Sequence, residues 1–237
     1  MPGGAIGIGF DVDHTIAIDN KLERVAFLRL LEIVAAAGGA VGGSLDDEIE
    51  RIDALLVRQR AGACSIDDAV RGFVRERGIA AGEDAFVARF RAMAVEMVDQ
   101  FVIPLPGARQ TFEELQARGI RVAVLSNGWN PLQTGKARRA GFAGPVLASA
   151  DIGVQKPDPR AFALLAAELH VAPERIWYVG DDPRCDVEGA RAAGLRAVWL
   201  DAEHKAFPPD LEPPAHTVGA LAQVVDLVRS AERVASP

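Results

Sequence analysis

Ala5-Ile6-Gly7-Ile8-Gly9-Phe10-Asp11-Val12-Asp13-His14-Thr15 is the stretch whose reading decides the fold. Ala5 to Phe10 are small or branched and apolar, the composition of a buried strand. Asp11 and Asp13 arrive where that strand ends. In open α/β sheets, ligands bind beyond the C-terminal ends of the strands. Two carboxylates one residue apart can reach one small volume there. They suit a metal ion or attack on an electrophile better than they suit a core. Asp-x-Asp also occurs in ordinary solvated turns, so its meaning depends on the rest of the chain. Gly7-x-Gly9 lacks a third glycine and meets an aspartate, so it is no dinucleotide fingerprint.

Working outward, 237 residues suffice for a core domain plus a smaller one. A hydrophobic content of 49% with 25% charged residues describes a globular protein rather than a disordered one. No apolar run reaches membrane-spanning length, and the N-terminus lacks the basic region and cleavage site of a secretory leader. A formal charge of −7 argues against nucleic acid as a partner but leaves room for a small anionic substrate at a local site. Cys64 and Cys185 have no metal-ligand spacing. The expectation is a reduced, cytoplasmic chain, monomeric or homodimeric.

After the short connection Ile16 to Asn20, the pattern turns helical. Lys21 to Ala37 reads as a helix stopped at Gly38-Gly39. Ser44 with Asp47, and Ser65 with Asp68, read as two helix starts, Gly78 as an end, and Glu83 to Phe101 as a fourth helix. Beyond Pro104-Leu105-Pro106-Gly107, strand and helix alternate. Strands are expected at Ile120–Leu125, Pro145–Ala148, Arg175–Val179 and Arg196–Leu200. Helices are expected at Ala108–Arg118, Pro131–Ala140, Asp158–His170 and Pro183–Ala193, with a terminal helix at Val218–Arg233. The fold class is therefore α/β: a Rossmann-like parallel sheet with helices on both faces, plus an inserted all-helical domain. The expected boundaries are 1–16 with 104–237 for the core and 17–103 for the insertion.

Chemistry-bearing residues follow the strands. Ser126-Asn127-Gly128 follows one, Gly180-Asp181-Asp182 with Asp186 another, and Gln155-Lys156-Pro157 precedes a helix. Two like charges about 4 Å apart repel by roughly 4 kcal/mol at an effective dielectric of 20. Asp11, Asp13, Asp181 and Asp186 in one crevice therefore call for a cation, and all-oxygen ligands point to Mg²⁺. Lys156 adds positive charge, and it is one of only four lysines in the chain.

Asp-x-Asp-x-Thr, Ser-Asn-Gly, Lys-Pro and Gly-Asp-x-x-x-x-Asp, in that order, resemble the haloacid dehalogenase-like hydrolase superfamily. The helical insertion is similar to the C1-type cap of its phosphoglycolate phosphatase and nucleotidase branches. The resemblance implies a Mg²⁺-dependent phosphatase acting on a small phosphorylated metabolite. Asp11 would attack phosphorus to form an aspartyl-phosphate, and Asp13 would serve as acid and then base. Asp11, the Asp13 carbonyl and Asp181 would hold Mg²⁺. Ser126, Asn127 and Lys156 would bind the phosphoryl oxygens, with Thr15 and Asp186 in support. Asp182 is an ambiguous neighbour, which the spacing to Asp186 sets behind Asp181.

His14 stands where the family often has glycine, and its side chain is expected to point into the connection. Trp129 is expected to pack, though it is placed to border the pocket. Cys185, beside acids, is expected to make a poor thiolate. The connections Ile16–Asn20 and Val102–Pro106 are expected to act as hinges. Dehalogenation is disfavoured because that chemistry lacks the second aspartate. A phosphonatase needs a cap lysine, and residues 22–103 contain none. A phosphosugar mutase and a non-catalytic binding protein remain as alternatives.

Overall fold

The computed structural model describes residues 5–234. Six strands form one parallel sheet: β1 (Gly7–Phe10), β4 (Arg121–Ser126), β5 (Val146–Ala148), β6 (Ile176–Gly180), β7 (Arg196–Leu200) and β8 (His216–Val218). Their order is β5-β4-β1-β6-β7-β8. β1 lies between β4 and β6, with Phe10 beside Val124 on one side and Val179 on the other. The chain builds outward from β1 through β4 and β5, then crosses to build the other half. The crevice of such a sheet opens where the direction reverses, at the C-terminal ends of β1, β4 and β6.

The packing explains the glycines of β1. Helix α9 (Pro159–Leu169) covers this part of the sheet, and a Cβ on Gly9 would lie 2.5 Å from Leu165 and 2.7 Å from Tyr178. Phe162, Leu165 and Leu169 of α9 join Ala123, Leu125, Ile176 and Tyr178 in one buried cluster. Truncating a residue such as Phe162 there costs about 3–5 kcal/mol.

Chain contacts divide the protein into two compact units: the residues up to Asp19 with those from Ile103 onward, and Asn20–Val102. The second unit contains α1 (Leu22–Ala36), α2 (Leu45–Arg60), α3 (Ile66–Arg75), α4 (Glu83–Glu96) and α5 (Val98–Phe101). Ser44 and Asp47 form a reciprocal capping box at α2. At α3, Ser65 accepts from the Asp68 amide, but its hydroxyl donates to the Asp68 carboxylate, so the box does not close. Phe27 packs against Phe73 and Phe90 with ring centroids 5.1 and 4.6 Å away. Arg77 is buried there, paired with Glu48 and lying 3.6 Å over the Phe73 ring.

The structure departs from expectation in short elements. The two connections are not plain linkers: β2 (Ala17–Ile18) pairs antiparallel with β3 (Ile103–Pro104). The fourth helix breaks at Met97, separating α4 from α5. Helices α6 (Ala108–Ala117) and α7 (Leu132–Arg139) lie where expected, and α8 (Ser149–Ile152) is an additional turn. Pro183–Glu188 is a π-helical turn leading into α10 (Gly189–Ala192), rather than one regular helix. Val218 ends strand β8 instead of opening the terminal helix. That helix is α11 (Ala222–Val234), and Gln223 in its first turn reaches back, Oε1 accepting from the Gly219 and Ala220 amides of the preceding turn.

Candidate active site

The sheet ladder continues one residue past β1, where Asp11 N–H donates to the Val179 carbonyl at 3.0 Å. The chain then turns tightly about one acceptor. The Val12 carbonyl takes the amides of Thr15, Ile16 and Ala17 at 3.3, 3.0 and 3.1 Å. His14 at the bend has φ 59°, the left-handed region that glycine enters freely. Histidine is among the non-glycine residues that tolerate it, which explains the departure from glycine here. Its side chain does not point into the connection. Nδ1 lies 3.3 Å from Glu203 in the loop after β7, and both groups are exposed.

Lys156 is central to the charge balance. Its ammonium is 3% exposed as a residue, 2.7 Å from Asp11 Oδ1 and 2.6 Å from Asp186 Oδ1. Burial alone would lower its pKa, but Asp11 and Asp186 outweigh burial and hold it well above the usual lysine value. Asn127 fixes the Lys156 backbone through two reciprocal bonds of 2.8 Å, Nδ2 to the Lys156 carbonyl and the Lys156 amide to Oδ1. Ser126, at the end of β4, is buried.

One carboxylate oxygen from each of Asp11, Asp181 and Asp186 falls within 4.8 Å of the others. Asp11 Oδ1 is buried, and the Lys156 ammonium is the positive charge it faces. Burial, Asp11 and Asp182 push the Asp181 carboxyl up to about 7. Burial also pushes Asp186 up, against the pull of Lys156. A divalent cation fits these residues: the ligand atoms are all oxygen, and the acids carry more repulsion than a single lysine relieves. Asp182 is engaged elsewhere, its Oδ1 accepting from the Arg184 and Cys185 amides. Cys185 is pushed up to about 12, first by burial and then by Asp182 and Asp186.

The Asp13 carboxylate is not in this triad. Oδ1 accepts from Lys136 Nζ at 2.7 Å and Oδ2 from Gln133 Nε2 at 3.3 Å. Lys136 also reaches Asp19 at 3.2 Å. Sequence reasoning missed Lys136, Gln133 and Asp19. The scarcity that singled out Lys156 applied equally to Lys136. Tyr178 was missed as well. Its hydroxyl donates to the Leu125 carbonyl at 2.8 Å, and its ring lies 5.5 Å from the Lys156 ammonium. Trp129 is buried packing at the start of α7.

The parallel sheet thus brings three acids and a buried lysine together at its switch point. The haloacid dehalogenase-like hydrolase family model matches residues 7–194, and the chain belongs to that family. It is 42% identical over 122 residues to a phosphoserine phosphatase of Thermus thermophilus, covering 50% of this chain and 49% of that one. A ribulose-1,5-bisphosphate 5-phosphatase of Halopiger xanaduensis is 31% identical over 134 residues, covering 52% and 56%. These matches thus span about half the length of either relative. A phosphatase of Mycobacterium tuberculosis is 31% identical over 201 residues, covering 82% of this chain and 83% of that one.

Among solved structures, a 2-haloacid dehalogenase from Pseudomonas syringae superposes with a TM-score of 0.72 at 22% identity, covering 96% of this chain and 100% of that one. A magnesium-bound HAD-hydrolase of Bacillus subtilis gives 0.69 at 21% identity, covering 95% and 99%. Likeness at these identities speaks for the fold alone. Among the described residues, no helix is long and apolar enough to cross a membrane.

Proposed function

We propose that the chain is a Mg²⁺-dependent phosphatase that hydrolyses a small phosphorylated metabolite through an aspartyl-phosphate on Asp11. The observation that carries this reading is the division of labour between the two aspartates. Asp11 lies against Lys156 and the other acids, whereas Asp13, two residues on, is held separately by Lys136 and Gln133. A nucleophile and an acid/base need different surroundings, and these carboxylates have them. The phosphatase relatives support the same reading.

Mg²⁺ would be held by the Asp11 and Asp181 carboxylates and the Asp13 carbonyl, and when bound it would neutralise charge on the phosphoryl oxygens. Asp186 would keep Lys156 in place, and Thr15 would support Asp181. Lys156, Ser126 and the Asn127 amide bind the phosphoryl group. An Asp11 oxygen forms a bond to phosphorus as the bond to the leaving oxygen breaks, and Asp13 gives that oxygen its proton. Asp13, now ionised, takes a proton from the water that attacks phosphorus, which frees phosphate and restores Asp11. The helical unit, by its place directly after the first motif, serves as the cap.

The second aspartate disfavours dehalogenation, although dehalogenases share the fold. The test is phosphate release from an aryl phosphate and a panel of phosphorylated metabolites, with Mg²⁺ and with chelator. Metal-dependent release that Asp11→Asn abolishes supports the proposal. No release from any compound by the folded protein contradicts it.

A further inference from the structure

We infer that Gln133 and Lys136 are positioning residues for Asp13, a pair that sets where the acid/base carboxylate points. The inference rests on the phosphatase reading above and extends it to two residues that none of the recognised motifs contains.

Gln133 and Lys136 are three residues apart on α7, so they share one helix face. They are 3% and 1% exposed, yet both end in polar groups directed at one carboxylate. Each takes a different oxygen: Lys136 Nζ is 2.7 Å from Asp13 Oδ1, and Gln133 Nε2 is 3.3 Å from Oδ2. Two donors on two oxygens fix the rotation of a carboxylate as well as its place. Among the described residues Gln133 Oε1 has no hydrogen-bond partner, so the contact to Asp13 is made through the N–H side of the amide.

The surroundings keep this arrangement in place. Gly128 leaves room for the Gln133 side chain, since a Cβ there would lie 2.3 Å from Nε2. Asp19 holds Lys136 from the other side at 3.2 Å, so the lysine is braced between two acids. A buried lysine facing a lone solvent-reaching carboxylate could follow it; one braced in this way holds it still. Proton transfer to a leaving oxygen depends steeply on placement, so a brace of this kind bears on rate.

The test uses two leaving groups. Nitrophenolate departs without a proton, whereas phenolate needs one more. kcat/KM on each phosphate ester reports the steps through the first irreversible one, cleavage of that bond in this scheme. Lys136→Met alone strips the cation from two carboxylates and risks unfolding the chain. Lys136→Met paired with Asp19→Asn, and Gln133→Met alone, avoid that imbalance, and circular dichroism checks their fold.

We expect the double variant to lose about 10- to 100-fold in kcat/KM on phenyl phosphate but no more than about threefold on nitrophenyl phosphate. Gln133→Met should show the same asymmetry in smaller measure, and Lys136→Arg should recover part of the loss. Equal losses on both esters, or none, would overturn the inference while leaving the phosphatase reading intact. A wild-type protein that releases phosphate from neither ester with Mg²⁺ would overturn both.

Discussion

Thr15 Oγ1 accepts a hydrogen bond from the Asp181 amide at 3.1 Å and lies 3.4 Å from the Asp181 carboxylate. It therefore joins the loop after β1 to the loop after β6, the two loops that supply the acids. Valine has nearly the same shape without the oxygen. Thr15→Val strands the Asp181 amide in a part-buried place, which costs about 1–3 kcal/mol. It should also loosen Asp181. We expect a lower thermal midpoint and a higher Mg²⁺ concentration for half-maximal activity. An unchanged metal requirement would argue against that link.

Lys156 neutralises Asp11 and Asp186 at 2.7 and 2.6 Å. Removing one partner from a buried charge pair is expensive because the remaining charges are left unpaired. Lys156→Met should lose about 3–5 kcal/mol by denaturant unfolding, along with all turnover. Adding Asp186→Asn should return part of the stability but none of the activity. A stable, active Lys156→Met protein would show that the pair is dispensable.

The metal-free protein should carry a pH signature of Asp181. Its carboxyl titrates at about 7 when folded and near 3.8 as the ordinary value. Between those values only the native state holds the proton, so this group's contribution to stability falls as pH rises through the window. Below 3.8 the contribution is fully present, and above about 7 it is gone. In chelator, Asp181→Asn should therefore gain stability relative to wild type as pH rises from 4 to 8. Added Mg²⁺ should stabilise wild type at pH 8 by mass action, about 2.7 kcal/mol at a hundredfold excess over Kd, and Asp181→Asn much less. Parallel stability curves for the two proteins in chelator would contradict the assignment.

Cys185 is half-buried beside Asp182 and Asp186, with its thiol pushed up to about 12. The thiolate is the reactive form, and almost none exists near neutral pH. Peptide mapping after iodoacetamide at pH 8 should find Cys185 unmodified in the folded protein, and Cys185→Ser should keep wild-type turnover. Rapid alkylation at this position would sink the electrostatic picture.

Elements with strong patterns were legible in the sequence. β1, β4, β6 and β7 are near-continuous apolar runs, and glycines mark the ends of α1, α3 and α6. β2, β3 and β8 are two or three residues long, too short for any alternation to show, and tertiary pairing alone makes them strands. The π-helical turn at Pro183–Glu188 has a helical composition, and its widening shows only in the backbone. Asp11, Lys156 and Asp181 stand out because each lies next to or near the end of a strand or the start of a helix, and Asp186 by its spacing from Asp181. Lys136 and Gln133 lie inside a helix among Arg138 and Arg139, where a lysine reads as surface charge. Only the crossing of α7 near the turn after β1 brings them to Asp13.

The central claim is that Asp11 carries the phosphoryl group. The direct measurement is to stop turnover with acid during a single cycle, reduce with borohydride and map the peptides by mass spectrometry. An aspartyl-phosphate is reduced to homoserine, whereas a free carboxylate survives. We expect homoserine at position 11, dependent on both substrate and Mg²⁺. Turnover with Asp11 intact in every peptide, or with the label on another acid, would contradict the account.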